Sequence, residues 1–153
     1  MKKIKLTCAH AVVKHLIAQK ILIDGKKEPL FAGAFGIFGH GNVACLGQAL
    51  EESKKELPTY RGHHEQNMAL TGIGYARAKR RQQIFVATSS TGPGSTNMVT
   101  AAAVAMSNRI PILFLPGDTY ANRMPDPVLQ QVEHFNNPGI TQNDAFKPVT
   151  KYF

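Results

Sequence analysis

Apolar side chains first recur at helical spacing just after Thr7, where Ala9, Val12, Val13, Leu16 and Ile17 share one stripe that Lys20 continues. With Thr7 as N-cap, this spacing predicts a helix over residues 8–20, broken by Gly25. At Leu30 the period changes. Leu30-Phe31-Ala32-Gly33-Ala34-Phe35-Gly36-Ile37-Phe38 is apolar on both parities, as expected of a strand covered on both faces of a parallel sheet. Gly39-His40-Gly41-Asn42 then predicts a tight turn, with Asn42 capping a short amphipathic helix through Val43, Leu46, Gly47 and Leu50.

The alternation repeats. Thr59-Tyr60-Arg61 reads as a second, short strand, and a helix begins at His63-His64-Glu65-Gln66 and runs through Met68, Ala69, Gly72, Tyr75 and Ala76 to a basic cluster. Ile84-Phe85-Val86-Ala87-Thr88 is a third strand, followed by a small-residue turn over residues 89–97 and a helix containing Met98, Val99, Val104 and Met106. Ile110-Pro111-Ile112-Leu113-Phe114-Leu115 is a fourth strand, ended by Pro116-Gly117-Asp118. Asp126-Pro127 suits the start of another helix, through Val128 to Glu133. Residues 134–153 show no clear period. Strands alternating with helices predict an α/β fold, a doubly wound parallel sheet with helices on both faces. The expected division is a main domain over residues 1–133 and an extension or linker over 134–153.

The length of 153 residues supports one domain with its own core, and 43% apolar content excludes a disordered chain. No apolar run approaches the ~18 residues of a membrane span. No export signal is read at Lys2, Lys3 and Lys5, because His10, Lys14 and His15 interrupt the apolar stretch that such a signal requires. Cys8 and Cys45 show no paired spacing, which favours a reducing, cytoplasmic setting. The net charge of +8 raises nucleic acid as a partner. Its densest cluster, Arg77, Lys79, Arg80 and Arg81, closes a helix, where cations complement the helix dipole, and no aromatic-interleaved basic stripe accompanies it.

In doubly wound sheets, ligands bind where strands end and helices begin. Three such turns are rich in glycine and polar residues: 36–42, 62–66 and 89–97. The last has the small residues of a phosphate cradle but neither a Walker lysine nor GxGxxG, and its glycines serve close packing equally well. His63-His64-Glu65 lacks the second histidine of HExxH, since Met68 stands there, so no metal ligand set is assigned. From local sequence alone, Glu65 at a helix start reads as a dipole partner. His40 reads equally as an exposed polar contact or a satisfied turn residue.

Taken in order, His64-Glu65-Gln66 with Gly74-Tyr75-Ala76-Arg77, then Thr88-Ser89-Ser90-Thr91-Gly92-Pro93-Gly94-Ser95-Thr96-Asn97, then Ile110-Pro111-Ile112-Leu113-Phe114-Leu115-Pro116-Gly117-Asp118, change that picture. Over nearly its whole length the chain resembles the N-terminal, pyrimidine-binding domain of thiamine diphosphate enzymes of the acetolactate synthase type. Gly39-His40-Gly41-Asn42 departs from the Tyr-Pro-Gly-Gly-like turn usual in the synthases. With Arg123-Met124-Pro125-Asp126-Pro127 it is similar instead to the branch that opens a cyclic 1,2-diketone to a deoxyhexuronic acid in inositol catabolism.

The resemblance implies that Glu65 bonds N1′ of the cofactor's aminopyrimidine and favours the imino tautomer whose exocyclic nitrogen removes the thiazolium proton. It implies cofactor contacts at Gly39, Gly41, Ser90, Gly92, Gly94 and Asn97, and pocket positions at His40, Asn42, His64 and Gln66. Diphosphate and Mg²⁺ would be held by a Gly-Asp-Gly to Asn motif in a separate domain. The chain has no such motif, so it is expected not to complete a catalytic site alone. A homodimer or homotetramer is implied for the intact enzyme, with neither nucleic acid nor membrane as partner. The alternatives are a synthase or decarboxylase acting on 2-oxo acids, and a non-catalytic binding module.

Overall fold

The computed structural model describes residues 3–119, 129–132, 134 and 136–153. Helix α1 covers Cys8–Ala18, with the Thr7 hydroxyl accepting from the His10 amide. It stops two residues before the expected Lys20 because Gln19 is already extended and Lys20 enters a hairpin. That hairpin, β1 (Lys20–Ile23) with β2 (Lys26–Pro29), was not expected from the pattern. Asp24 and Gly25, with φ of 49° and 78°, form its two-residue turn. Asp-Gly matches the mirror-image turn that suits twisted strands, so the residue read as a helix breaker closes a hairpin.

The main sheet has four parallel strands in the order β4-β3-β5-β6 among the described residues: β3 (Phe31–Ile37), β4 (Thr59–Arg61), β5 (Ile84–Ser89) and β6 (Leu113–Pro116). The first three fall within a residue or two of their predicted places. The fourth begins at Leu113 rather than Ile110, since its ladder starts where Val86 faces Leu113. The residues before it are taken up by a left-handed turn at Arg109 (φ 54°) and by Pro111, which has no amide hydrogen to donate.

Between β3 and β4 the chain is helical from Gly39 onward. Helix α2 (Gly39–Asn42) leads through a π-helical turn (Val43–Gly47) into α3 (Gln48–Glu52). This corrects the expected tight turn at 39–42 and the capping role of Asn42. Asn42 lies inside the helical run, caps nothing, and its Nδ2 donates to the Ser89 carbonyl at 3.2 Å.

Helix α4 (Glu65–Ala78) lies between β4 and β5. After the four-residue helix α5 (Pro93–Thr96), α6 (Val99–Asn108) leads on to β6. Helices α4 and α6 touch each other, while α1 packs on α3 and the π turn. Right-handed crossovers place these two groups on opposite faces of the sheet. On the α4 face, Phe35 stacks on Phe85 at 4.7 Å and Tyr75 meets Phe85 edge-on at 4.9 Å. Val13, Leu50, Leu57, Val86 and Met98 are among the fully buried side chains of the core.

Of the basic cluster, Arg77 lies in the last turn of α4 and Lys79 is its C-cap, as expected, whereas the next two residues leave the helix. Arg80 and Arg81 have φ of 54° and 65°, and the Arg81 guanidinium donates to the carbonyls of Arg109 (2.9 Å) and Asn108 (3.4 Å). The cluster thus places cations at two helix C-termini, as their charge favours: Arg77 at that of α4 and Arg81 at that of the neighbouring α6.

Residues 120–128, and with them Arg123 to Pro127 and the expected helix start, lie outside the described residues, but residues 129–132 are described and correct the expected helix through Glu133: 129–130 form a turn, with Gln130 at φ 65°, and 131–132 are not helical. Beyond them, where no period was legible, a 3₁₀ helix covers Gln142–Val149. Thr141 accepts from the Asn143 amide, and Asp144 accepts from that of Thr141. A hydrogen bond from Lys147, and then that from the Thr141 amide, hold the Asp144 carboxyl below its ordinary value. Phe146 of this helix is 3% exposed and lies 5.6 Å from the Phe114 ring. No helix among the described residues is long and apolar enough to cross a membrane.

Candidate functional site

The strand order reverses between β3 and β5, and the carboxyl ends of these strands, with that of β4, bring the three polar turns to one edge of the sheet. Glu65 is the first residue of α4, after the extended His64, whose Nδ1 accepts from the Asn67 amide at 3.4 Å. A carboxylate there faces the positive end of the helix dipole. Its Oε2 accepts from Asn97 Nδ2 at 2.8 Å. Asn97 closes α5 and also lies 3.4 Å from His64 Nε2. Oε1 of Glu65 has no hydrogen-bond partner among the described residues, so one oxygen is fixed and the other is left to accept.

Glu65, Ser90, Pro93, Gly94, Thr96 and Asn97, with Gln130 at the rim, line an open depression of about 470 Å³. Small residues shape its floor for a steric reason. A Cβ at Gly94 would stand 2.4 Å from Ser90 Oγ and 3.2 Å from Glu65 Oε1. A Cβ at Gly39, where φ is 63°, would stand 2.3 Å from the Ser90 Cβ, so glycine is what lets the end of β3 approach the end of β5.

Gly92 has φ 67° and ψ −124°, a region only glycine enters readily, and a Cβ there would fall 1.7 Å from the Gln130 carbonyl oxygen. Gly92→Ala is expected to cost about 1–3 kcal/mol, seen as a fall of several degrees in the thermal midpoint. A midpoint within a degree of the parent would show that the turn relaxes freely.

Of the residues singled out from the sequence, Glu65, Ser90, Gly94 and Asn97 come together in the depression, and Gly39, Gly92 and His64 stand directly beside members of it. Asn42 reaches the same edge through Ser89. His40 and Gly41 are on α2, and a Cβ at Gly41 would meet nothing within 4 Å. Neither they nor Gln66 line the depression. Pro93, Thr96 and Gln130 were missed as lining residues; Gln142 and Asn143, which do not line the depression but whose buried amides tie the 89–97 turn from behind, were missed as well. The one sequence signal for the last two was Thr141-Gln142-Asn143-Asp144, a capping pattern. Among the described residues no three His, Cys, Asp or Glu side chains group as a metal site requires.

A half-buried glutamate at the switch point of a parallel sheet, bounded by a glycine- and serine-rich turn, is the arrangement of a cofactor-binding α/β domain. The family model described as thiamine pyrophosphate enzyme, N-terminal TPP binding domain, matches residues 18–138, and the chain belongs to this family. Over 153 residues it is 55% identical to 3D-(3,5/4)-trihydroxycyclohexane-1,2-dione hydrolase of Geobacillus thermodenitrificans and 54% identical to that of Clostridium tetani. It is 52% identical over 152 residues to the hydrolase of Listeria monocytogenes. These alignments cover 99–100% of the chain and 24% of each relative. The chain therefore spans about a quarter of the length of the curated relatives it matches.

Proposed function

We propose that the chain is the pyrimidine-binding part of a thiamine diphosphate-dependent hydrolase that opens trihydroxycyclohexane-1,2-dione to 5-deoxyglucuronate, consuming water as a ring C–C bond breaks. The observation that carries this reading is the Glu65 carboxylate, with Oε2 held by Asn97 and Oε1 free to accept, at the mouth of the depression. A carboxyl group held in this way suits an aminopyrimidine, with whose ring nitrogen it can share a proton. Thiamine diphosphate, when bound, supplies an electron sink for cleavage beside a carbonyl.

The chain's own part is to hold and move one proton. Glu65 would share a proton with the pyrimidine ring nitrogen through Oε1, and Asn97 keeps the carboxylate from turning away. Ser90, Gly92, Gly94 and Gly39 keep the floor low enough for a flat ring, and Gly41, with His40, Asn42, His64 and Gln66, supplies rim and substrate-side positions. Diphosphate and Mg²⁺ are held by residues outside this chain, in a homodimeric or homotetrameric cytoplasmic enzyme.

The test is a chimera in which the chain replaces the corresponding quarter of the Geobacillus thermodenitrificans hydrolase. With thiamine diphosphate and Mg²⁺ it is expected to convert the cyclic dione to the deoxyhexuronic acid and to leave pyruvate unchanged. Condensation or decarboxylation of pyruvate, with the dione untouched, would assign the chain to a synthase or decarboxylase instead. A folded chimera without either activity would favour a binding module.

A further inference from the structure

Two carboxamides behind the site are almost fully buried, and neither lines the depression. Gln142 is 8% exposed and Asn143 6%, on the first turn of the 3₁₀ helix. Gln142 Nε2 donates to Thr91 Oγ1 at 2.9 Å and to the Gly117 carbonyl at 3.2 Å. Asn143 Nδ2 donates to the same carbonyl at 3.0 Å, and Asn143 Oδ1 accepts from the buried Ser95 hydroxyl. Gly117 in turn donates its amide to the Ser89 carbonyl at 3.0 Å. Ser89, Thr91 and Ser95 are successive anchor points of the turn that ends in Asn97.

We propose that Gln142 and Asn143 are positioning residues for Glu65: they fix the 89–97 turn from behind and so set Asn97 where it holds Oε2. The proposal deepens the reading of Glu65 as the proton-sharing group and rests on it. Burial gives the latch its strength. Gln142 Oε1 is buried with no hydrogen-bond partner among the described residues, so what ties Gln142 to the turn is its Nε2 alone; both amide nitrogens are removed from water, and a lost acceptor leaves an unsatisfied donor that the turn must move to satisfy. A threonine or serine hydroxyl alone would not impose this geometry, because it rotates, whereas a planar carboxamide presents donor and acceptor in a fixed plane. Ser95 and Asn97 are two residues apart, so a displacement at Ser95 passes directly into Asn97.

The test reads Asn97 itself, in the chain as it stands, by the solvent exchange and chemical shift of its side-chain amide. Glu65→Ala sets the reference for an Asn97 amide without its carboxylate. Gln142→Met, close in volume, is expected to move the Asn97 resonances toward that reference and to raise exchange about tenfold, the factor for one net hydrogen bond. Thr91→Val, which removes one of the two acceptors of Gln142, should act in the same direction and decides the matter if Gln142→Met does not fold. Val149→Ala, on the same 3₁₀ helix but with no hydrogen-bonding side chain, should lower stability and leave Asn97 unmoved. An Asn97 amide that stays at its parent values in Thr91→Val or folded Gln142→Met, or one that shifts equally in Val149→Ala, overturns the proposal. Turnover of the chimera is read separately, so an inactive chimera with a responsive Asn97 refutes the hydrolase reading and leaves the latch standing.

Discussion

Glu65→Gln is expected to lower turnover of the chimeric hydrolase by about 10²–10⁴-fold, the range for losing a group that moves a proton in the reaction. The substitution separates the two roles a glutamate can have at this place. As a helix-start residue, Glu65 contributes at most ~1 kcal/mol through the α4 dipole. Glutamine keeps the size, and its carbonyl oxygen can still accept from Asn97 Nδ2, so folding and the Asn97 contact should persist. What glutamine cannot do is share a proton with a ring nitrogen. A large loss of turnover with an almost unchanged thermal midpoint is therefore the expected pair of results. Near-normal turnover at saturating thiamine diphosphate would falsify the role given to Glu65.

Phe146→Ala should destabilise the chain by about 3–5 kcal/mol, the usual cost of emptying a buried aromatic site. For a chain of this length that corresponds to a fall of roughly 10 °C or more in the thermal midpoint. Phe146 is 3% exposed, belongs to the same buried cluster as Met98, Ala101, Ala102 and Ala105, and contacts Phe114 of β6. Its removal would leave a void under the 3₁₀ helix, whose first turn carries Gln142 and Asn143. A midpoint lowered by only a degree or two would mean that residues 142–149 rest on the sheet without contributing to its core.

The two variants probe parts of the chain that were unequally legible. Glu65 could be singled out because its neighbourhood is local: a short strand, a polar turn and a helix start, in an order that with two other turns resembles one family. Phe146 could not. An isolated phenylalanine in a stretch with two prolines and no period carries no local sign of burial, and its partners Phe114 and Ala102 are more than thirty residues away. Asp24-Gly25 is a third case, in which the signal was present and was assigned to the wrong event, the end of a helix instead of the turn of a hairpin.

Local pattern was enough for the longer strands and helices of the main sheet, because a strand covered on both faces must be apolar on both parities and a helix must repeat every 3.6 residues. The places of β3, β4 and β5, of α1, α4 and α6, and the α/β class came from that periodicity. Tertiary structure alone decided what depends on atoms distant in the chain. The Asn42 side-chain amide is met by the Ser89 carbonyl, forty-seven positions on. The Asn97 that fixes Glu65 lies thirty-two positions from it. The closure of the 89–97 turn by the amide nitrogen of Gln142 and by Asn143 is of the same kind: these buried groups take partners whose places are set by packing, which no local pattern encodes.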